Sequence, residues 1–355
     1  MKHMLVTGGA GFVGSWVALG LRARLPGARV TALDNLRRRG SELNLARLRS
    51  GGVAFMHGDI RNPEDLEAVG KADLIVECSA EPSVLAGYGE SPAYVLNTNL
   101  TGTLHCLEHA RRHGAAMIFL STSRVYPIET LNALPFEEQE TRYELAAAQA
   151  TPGVSEAGIS ERFPMEGSRS LYGATKLCSE LILEEYLAMY GLRGIINRCG
   201  VIAGPWQMGK TDQGVAALWA ARHVIGGRLD YIGFGGAGKQ VRDLLHIEDL
   251  VDLIAHEVEH LDALSGQTFN VGGGRTGSVS LAEMTALCRE LTGKQIEIGS
   301  VPETRAGDIR IYVTDYGKVA AATGWRPQRD ARAILEDTCR WITDHRDVLA
   351  EVIGE

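Results

Sequence analysis

A chain of 355 residues, 45% of them hydrophobic, can bury one large domain or two moderate ones and is not a disordered protein. A net charge of −8 argues against nucleic acid as a bulk electrostatic partner, and no apolar run approaches the roughly 20 residues of a membrane helix. The six cysteines are scattered without a CxxC pair, and the N-terminus enters a strand at once with no signal-peptide pattern, so a soluble cytoplasmic protein is expected.

In the first half, short apolar runs alternate with helical patterns. Strands are expected at His3–Thr7, Arg29–Asp34, Val53–His57, Asp73–Glu77, Met117–Ser121 and Gly194–Arg198. Helices are expected at Phe12–Arg24, Ser41–Arg49, Pro63–Val69, Pro92–His113 and Leu171–Tyr190. This alternation predicts a parallel sheet wound by right-handed crossovers. The polar segment 127–168 interrupts it and is too long for a plain connection, which favours a lid. Beyond Val201, helices near Gly214–Val224, Glu248–Leu261, Leu281–Leu291 and Ala331–Thr343 mix with short strands, predicting a smaller α/β lobe.

The opening MLVTGGAGFVG places Gly8, Gly11 and Gly14 between a strand and a helix. Glycines there permit a tight turn, close backbone approach to a pyrophosphate and close helix packing, and the helix N-terminus attracts phosphate. Asp34 ends the second strand, where a carboxylate would accept ribose hydroxyls and repel a 2′-phosphate, so NAD is favoured over NADP. Arg37, Arg38 and Arg39 follow it and keep NADP open. Asp59-Ile60, after the third strand, is where an adenine would lie.

Two further stretches carry chemistry. FLSTSRVYP (119–127) puts three hydroxyls at the end of a strand, where open α/β sheets bind ligands. SLYGATKL places Tyr172 and Lys176 at i and i+4, on one helix face. A phenol with a pKa of about 10 is a poor base at neutral pH, but a neighbouring ammonium stabilises its phenolate. Tyr172 is therefore a candidate proton shuttle.

Glycine loop, strand hydroxyls and Tyr/Lys pair, in this order, resemble the short-chain dehydrogenase/reductase superfamily in its extended, sugar-nucleotide-modifying branch. The resemblance covers nearly the whole chain. It implies a Rossmann-type, doubly wound parallel sheet over residues 1–200, with an insert at 127–168, and a smaller C-terminal α/β substrate lobe over 201–355, some of whose segments return to the first domain. The catalytic hydroxyl of the family lies four residues before the Tyr of a VYG-like motif; here that Tyr is Tyr126, so the implied catalytic set is Thr122, Tyr172 and Lys176. NAD is the implied cofactor, held by Gly8, Gly11, Phe12, Val13, Gly14, Asp34, Asn35, Asp59, Ile60, Ala80, Asn99, Tyr172 and Lys176.

Dehydratases of this branch follow the catalytic hydroxyl with Asp and Glu, whereas here Ser123-Arg124 follows Thr122. An epimerase is therefore expected. LDNLRRRGSELNL (33–45), STSRVYP, GPWQMGKTDQG (204–214), GKQVRDLLHIEDL (238–250) and RAGDIRIYVTD (305–315) are similar to segments of 2-epimerases that act on CDP-sugars. The resemblance thus implies a CDP-sugar substrate, bound by Thr122 and Gln213, with Arg242 and Arg305 on the diphosphate. It also implies a homodimer through the helices Pro92–His113 and Leu171–Tyr190. A UDP-hexose C4-epimerase and a non-catalytic NAD sensor are the alternatives. Pro127 after VY, Val201 near the nucleotide and the long insert depart from the branch pattern.

No metal is expected. HEVEH (256–260) matches a zinc motif formally, but Leu250, Leu253 and Ile254 make its helix a core stripe. His105, His109 and His113 recur at helical spacing, which reads as a subunit-contact or solvated stripe before it reads as ligands.

Overall fold

The structure, a computed structural model, describes residues 1–208 and 214–353. It divides into two compact units. The first comprises Met1–Val125, Ser170–Arg198 and Leu250–Phe269; the second comprises Tyr126–Arg169, Cys199–Asp249 and the chain from Asn270 onward.

The first unit opens as the sequence suggests. Strands β1 (His3–Thr7), β2 (Arg29–Asp34), β3 (Ala54–His57), β4 (Leu74–Glu77) and β5 (Ala116–Thr122) alternate with helices α1 (Phe12–Arg24), α2 (Asn44–Ser50) and α3 (Pro63–Val69). The pairs β1–β2, β2–β3, β1–β4 and β4–β5 are parallel. HMLVT, LIVE and AMIFLST are buried along their whole length, as strands covered on both faces must be. With β10 (Gly194–Cys199) and β14 (Thr268–Val271) the sheet has seven strands, in the order β14-β10-β5-β4-β1-β2-β3. Strand order reverses beside β1, so ligands are expected at the carboxyl ends of β1 and β4. Leu5, Ile75, Met117, Phe119, Leu107 and Leu183 share one core on a face of this sheet.

Two expected helices differ in detail. Ser41–Arg49 begins as a 3-10 turn, Ser41–Leu43, before α2. The stretch Pro92–His113 is not one α-helix: α4 (Ala93–Leu96) and α5 (Gly102–His113) are joined by a π-helical turn, Asn97–Thr101. A π turn adds a residue without changing the apolar stripe, so periodicity does not reveal it; such turns recur at functional sites.

The segment 127–168, expected to be a lid, folds into elements of its own. It carries α6 (Ile128–Asn132) and two short hairpins, β6–β7 (Phe136–Glu138, Tyr143–Leu145) and β8–β9 (Val154–Ser155, Gly158–Ile159). Tyr143, Leu145, Ile159 and Phe163 are buried, and Phe163 packs edge-on against Tyr126. The segment is thus part of the second unit's core.

The remaining strands of that unit are β11 (Val201–Ala203), β12 (Arg228–Ile232), β13 (Val241–His246), β15 (Ser278–Ser280), β16 (Glu297–Val301) and β17 (Ile311–Tyr312). β13 pairs with β11, β15 and β17, while β12 pairs with β16. Ser280 and Glu283 form a reciprocal capping box that starts the helix Leu281–Thr292. Trp206 packs against Trp341 and His345, and Trp219 lies in the core and donates to Thr285, so both serve packing.

Candidate functional site

In the first unit the glycine loop joins β1 to α1. Gly8 adopts φ +61°, a left-handed conformation that favours glycine, and lies against the backbone of Cys78 and Ser79 after β4. A Cβ on Gly14 would overlap the Gly8 carbonyl, so only glycine lets α1 come this close. Gly11 is the N-cap and brings no side chain to close the helix end. Phe12 and Val13 form the first turn, which therefore presents N–H groups and the positive end of the helix dipole.

Asp34 ends β2 beside this loop. Its carboxylate accepts from the Ala10 N–H at 3.0 Å and the Leu36 N–H at 2.7 Å. Burial pushes its pKa up, against the pull of those N–H groups. Leu36 holds φ +55°, a strained value for a branched side chain, which points to a constrained loop next to Asp34. Asn35 donates to Asp59 at 2.8 Å, and Arg61 pairs with the same carboxylate at 2.6 Å. Burial opposes ionisation of Asp59, but these donors outweigh it and hold its pKa at about 2. Arg37 and Arg61 both lie over the ring of Tyr94. Ile60 is buried, and its carbonyl bonds His105 Nδ1 at 2.9 Å.

The π turn bears Asn99, which is fully buried. Its amide grips Glu81, accepting from the Glu81 N–H at 2.7 Å and donating to its carbonyl at 3.0 Å. This pins the segment after β4, which contains Ala80. Ser179 of α7 (Leu171–Tyr190) donates to the Asn99 carbonyl at 3.1 Å. The π turn thereby couples the segment after β4 to the helix that carries Tyr172 and Lys176.

Thr122 is the last residue of β5, buried, with its hydroxyl accepting from the Arg124 N–H at 3.2 Å. Helix α7 starts at Leu171, and the Ser170 hydroxyl caps it by accepting from Gly173. Tyr172 is half-buried in the first turn, and Lys176, one turn on, is 2% exposed. The Lys176 ammonium lies 3.5 Å from Glu77 and 4.4 Å from the centre of the Phe119 ring. Glu77 ends β4, is fully buried, and forms an ion pair with Lys176. Burial pushes its carboxyl up, and Lys176 pulls it part of the way back.

A second buried pair lies one turn further along α7. Glu180 receives Arg198 of β10 through two nitrogens, the closer at 2.7 Å, and also the Ser121 hydroxyl. Glu77, Glu180 and Arg198 were not anticipated from sequence, since their partners come from distant segments. Ser121, expected only to end the strand, is instead tied to α7.

The two candidate diphosphate arginines belong to the second unit. The Arg242 guanidinium donates to the carbonyls of Val241 at 2.7 Å and Ile309 at 2.6 Å, which fixes its orientation. Arg305 pairs with Asp308 at 3.2 Å. Gln213 lies outside the described residues.

In the HEVEH stretch the histidines and the glutamate point to different surroundings. His256 and His260 stack on each other, while Glu257 turns into the core and accepts from Asn197 at 2.8 Å. Glu257 is therefore neither solvated nor a surface ion-pair partner, and burial pushes its pKa up to about 8.

A Rossmann unit with a hydroxyl at the end of β5, and a phenol and an ammonium on successive turns of α7, has the groups expected of a class of redox enzyme. The sequence model of the NAD dependent epimerase/dehydratase family matches residues 4–272, and the chain belongs to that family. Over 345 residues it is 29% identical to the CDP-paratose 2-epimerase of Salmonella typhi, covering 95% of this chain and 98% of that one. It is 29% identical to a dTDP-glucose 4,6-dehydratase of Streptomyces griseus, covering 97% of this chain and 95% of that one. The structure of the Thermus thermophilus UDP-glucose 4-epimerase in complex with NAD superposes with a TM-score of 0.74 at 28% identity, covering 96% of this chain and 98% of that one. NAD is the cofactor of the family, and the residues present fit it: the glycine cradle admits no Cβ at Gly14, the α1 N-terminus carries no side-chain cap, and Asp34 stands beside both. Among the described residues no helix is long and apolar enough to cross a membrane.

Proposed function

We propose that this enzyme epimerises C2 of a CDP-sugar, in the manner of CDP-paratose to CDP-tyvelose, through a transient keto-sugar. The observation that carries the reading is the pair that follows the Thr122 hydroxyl. Ser123-Arg124 supplies no carboxylate there, so eliminating water lacks its acid and base. The nearby carboxylates are engaged elsewhere, Glu77 with Lys176 and Glu180 with Arg198 and Ser121. That combination favours the epimerase relatives over the dehydratase ones.

Tyr172, as phenolate, removes the proton of the sugar hydroxyl, and Thr122 hydrogen-bonds the same oxygen. Lys176 stabilises the phenolate by its charge. Bound NAD supplies a reversible two-electron acceptor for the hydrogen on the sugar carbon. Arg242 and Arg305 hold the diphosphate with planar forks of donors, and Gln213 contacts the substrate. Gly8, Gly11, Phe12, Val13 and Gly14 hold the pyrophosphate of NAD, Asp34 and Asn35 its ribose, and Asp59 and Ile60 its adenine. Ala80 and Asn99 shape the wall near the nicotinamide. The keto-sugar then turns about its diphosphate linkage and is reduced on the opposite face.

A UDP-hexose C4-epimerase is the second reading, favoured by the 28% identity to the Thermus enzyme. Incubation with CDP- and UDP-sugars, followed by NMR of the product, separates the two. Inversion at C2 of the CDP-sugar is expected. Turnover of UDP-hexose alone would replace the first reading with the second, and no turnover of either would favour a non-catalytic NAD sensor. In the same assay Tyr172→Phe is expected to retain NAD and lose about 10²–10⁴-fold in rate.

A further inference from the structure

We infer that Glu67, His109 and His113 form a binding site for a divalent transition metal, zinc foremost, that clamps α3 to α5. Glu67 lies on α3, and the two histidines occupy successive turns at the C-terminal end of α5. One ligand atom from each lies within 4.8 Å of the other two. His109 is 2% exposed; its imidazole faces the Gly70 backbone, and among the described residues neither ring nitrogen makes a well-formed hydrogen bond. His113 Nε2 is also buried without one. Buried polar atoms are nearly always satisfied, so under-bonded nitrogens on both of two adjacent imidazoles, whose ring centres are 4.4 Å apart, call for a ligand, with the Gly70 backbone left to orient His109.

The chemistry of the set selects the ion. Two imidazoles and one carboxylate suit zinc or a neighbouring transition metal, whereas magnesium and calcium prefer oxygen. Metal–ligand bonds of about 2.0–2.2 Å need ligand atoms roughly 3.5 Å apart, so the site must contract on binding. The exposed Glu67 side chain and the half-buried His113 ring can make that movement. The C-terminus of α5 adds the negative end of its dipole. His105 takes no part, because its Nδ1 is bonded to the Ile60 carbonyl. That bond ties α5 to the loop preceding α3, so a metal at the other end would fasten the helix pair at two points. Arg112 opposes the ion, since it pairs with Glu67 and adds a positive charge beside the site.

The test uses the full chain freed of metal by chelation, with Zn²⁺ titrated calorimetrically and Co²⁺ followed by its visible absorption. One ion per chain is expected, with a rise in melting temperature. Glu67→Gln and His113→Ala should each weaken Zn²⁺ binding at least tenfold while circular dichroism stays unchanged. Arg112→Gln should tighten it severalfold by releasing the carboxylate. His260→Ala, which breaks the exposed histidine pair on the HEVEH helix, should leave binding as it was. Binding that survives Glu67→Gln and His113→Ala, or that is lost with His260→Ala, would overturn the assignment, as would the absence of a single-site isotherm.

Discussion

Lys176, which we propose as catalytic, shows how the fold holds a buried charge. A buried ammonium is costly without a counter-charge, and Glu77, fully buried at the end of β4, supplies one at 3.5 Å. Removing one member of a buried pair leaves the other uncompensated, at a cost of about 3–5 kcal/mol. Glu77→Gln is therefore expected to lose that much in urea unfolding, and Glu77→Gln with Lys176→Met should recover most of it. Equal losses in the single and double variants would show that the pair does not account for the burial. The side chains proposed to react were picked from the sequence alone. Tyr172 and Lys176 declare themselves by i, i+4 spacing, and Thr122 by its place before VY. Glu77 and Glu180 were not, because a carboxylate's partner in space leaves no local mark. Glu180 meets Ser121 across 59 residues of chain.

Elements were legible where one period dominates. β1, α1 and α7 fall where apolar pattern and glycines put them, since long periodic runs leave one way to bury the apolar face. The π turn at Asn97–Thr101 and the two-residue strands β8 and β9 lie below that resolution. The helix α9 (Ile247–Glu259) hides another feature: its pattern marks Leu253 and Ile254 as core but not Glu257. Glu257 has a folded pKa of about 8 against an ordinary 4.5, so the folded state holds a proton that the unfolded state has released. The stability this group contributes is complete below its unfolded pKa and is lost as pH rises through the folded one. Denaturant unfolding at about pH 5 and about pH 8 should show wild type weakening over that window, by up to ~1.4 kcal/mol per pH unit from this group. Glu257→Gln should flatten the slope. The same slope in both proteins would mean that Glu257 ionises normally.

For the molecule as a whole, the parallel sheet followed from strand–helix alternation, and the NAD assignment from Asp34 with the glycine loop. The segment 127–168 did not, because its short hairpins are anchored by backbone bonds to distant residues of the second unit, Tyr143 to Lys239 and Ile159 to Val313. We propose a homodimer through α5 and α7, which leave Leu104, Leu181, Met189 and Tyr190 exposed. Leu181→Glu is expected to yield monomers in analytical ultracentrifugation, and an unchanged sedimentation profile would place any contact elsewhere. The central proposal is oxidation and re-reduction of a single sugar carbon. It is tested most directly with a CDP-sugar carrying deuterium at C2. Product that keeps the label at C2 with inverted configuration is the expected result. Loss of the label to solvent would contradict it and point to deprotonation at carbon.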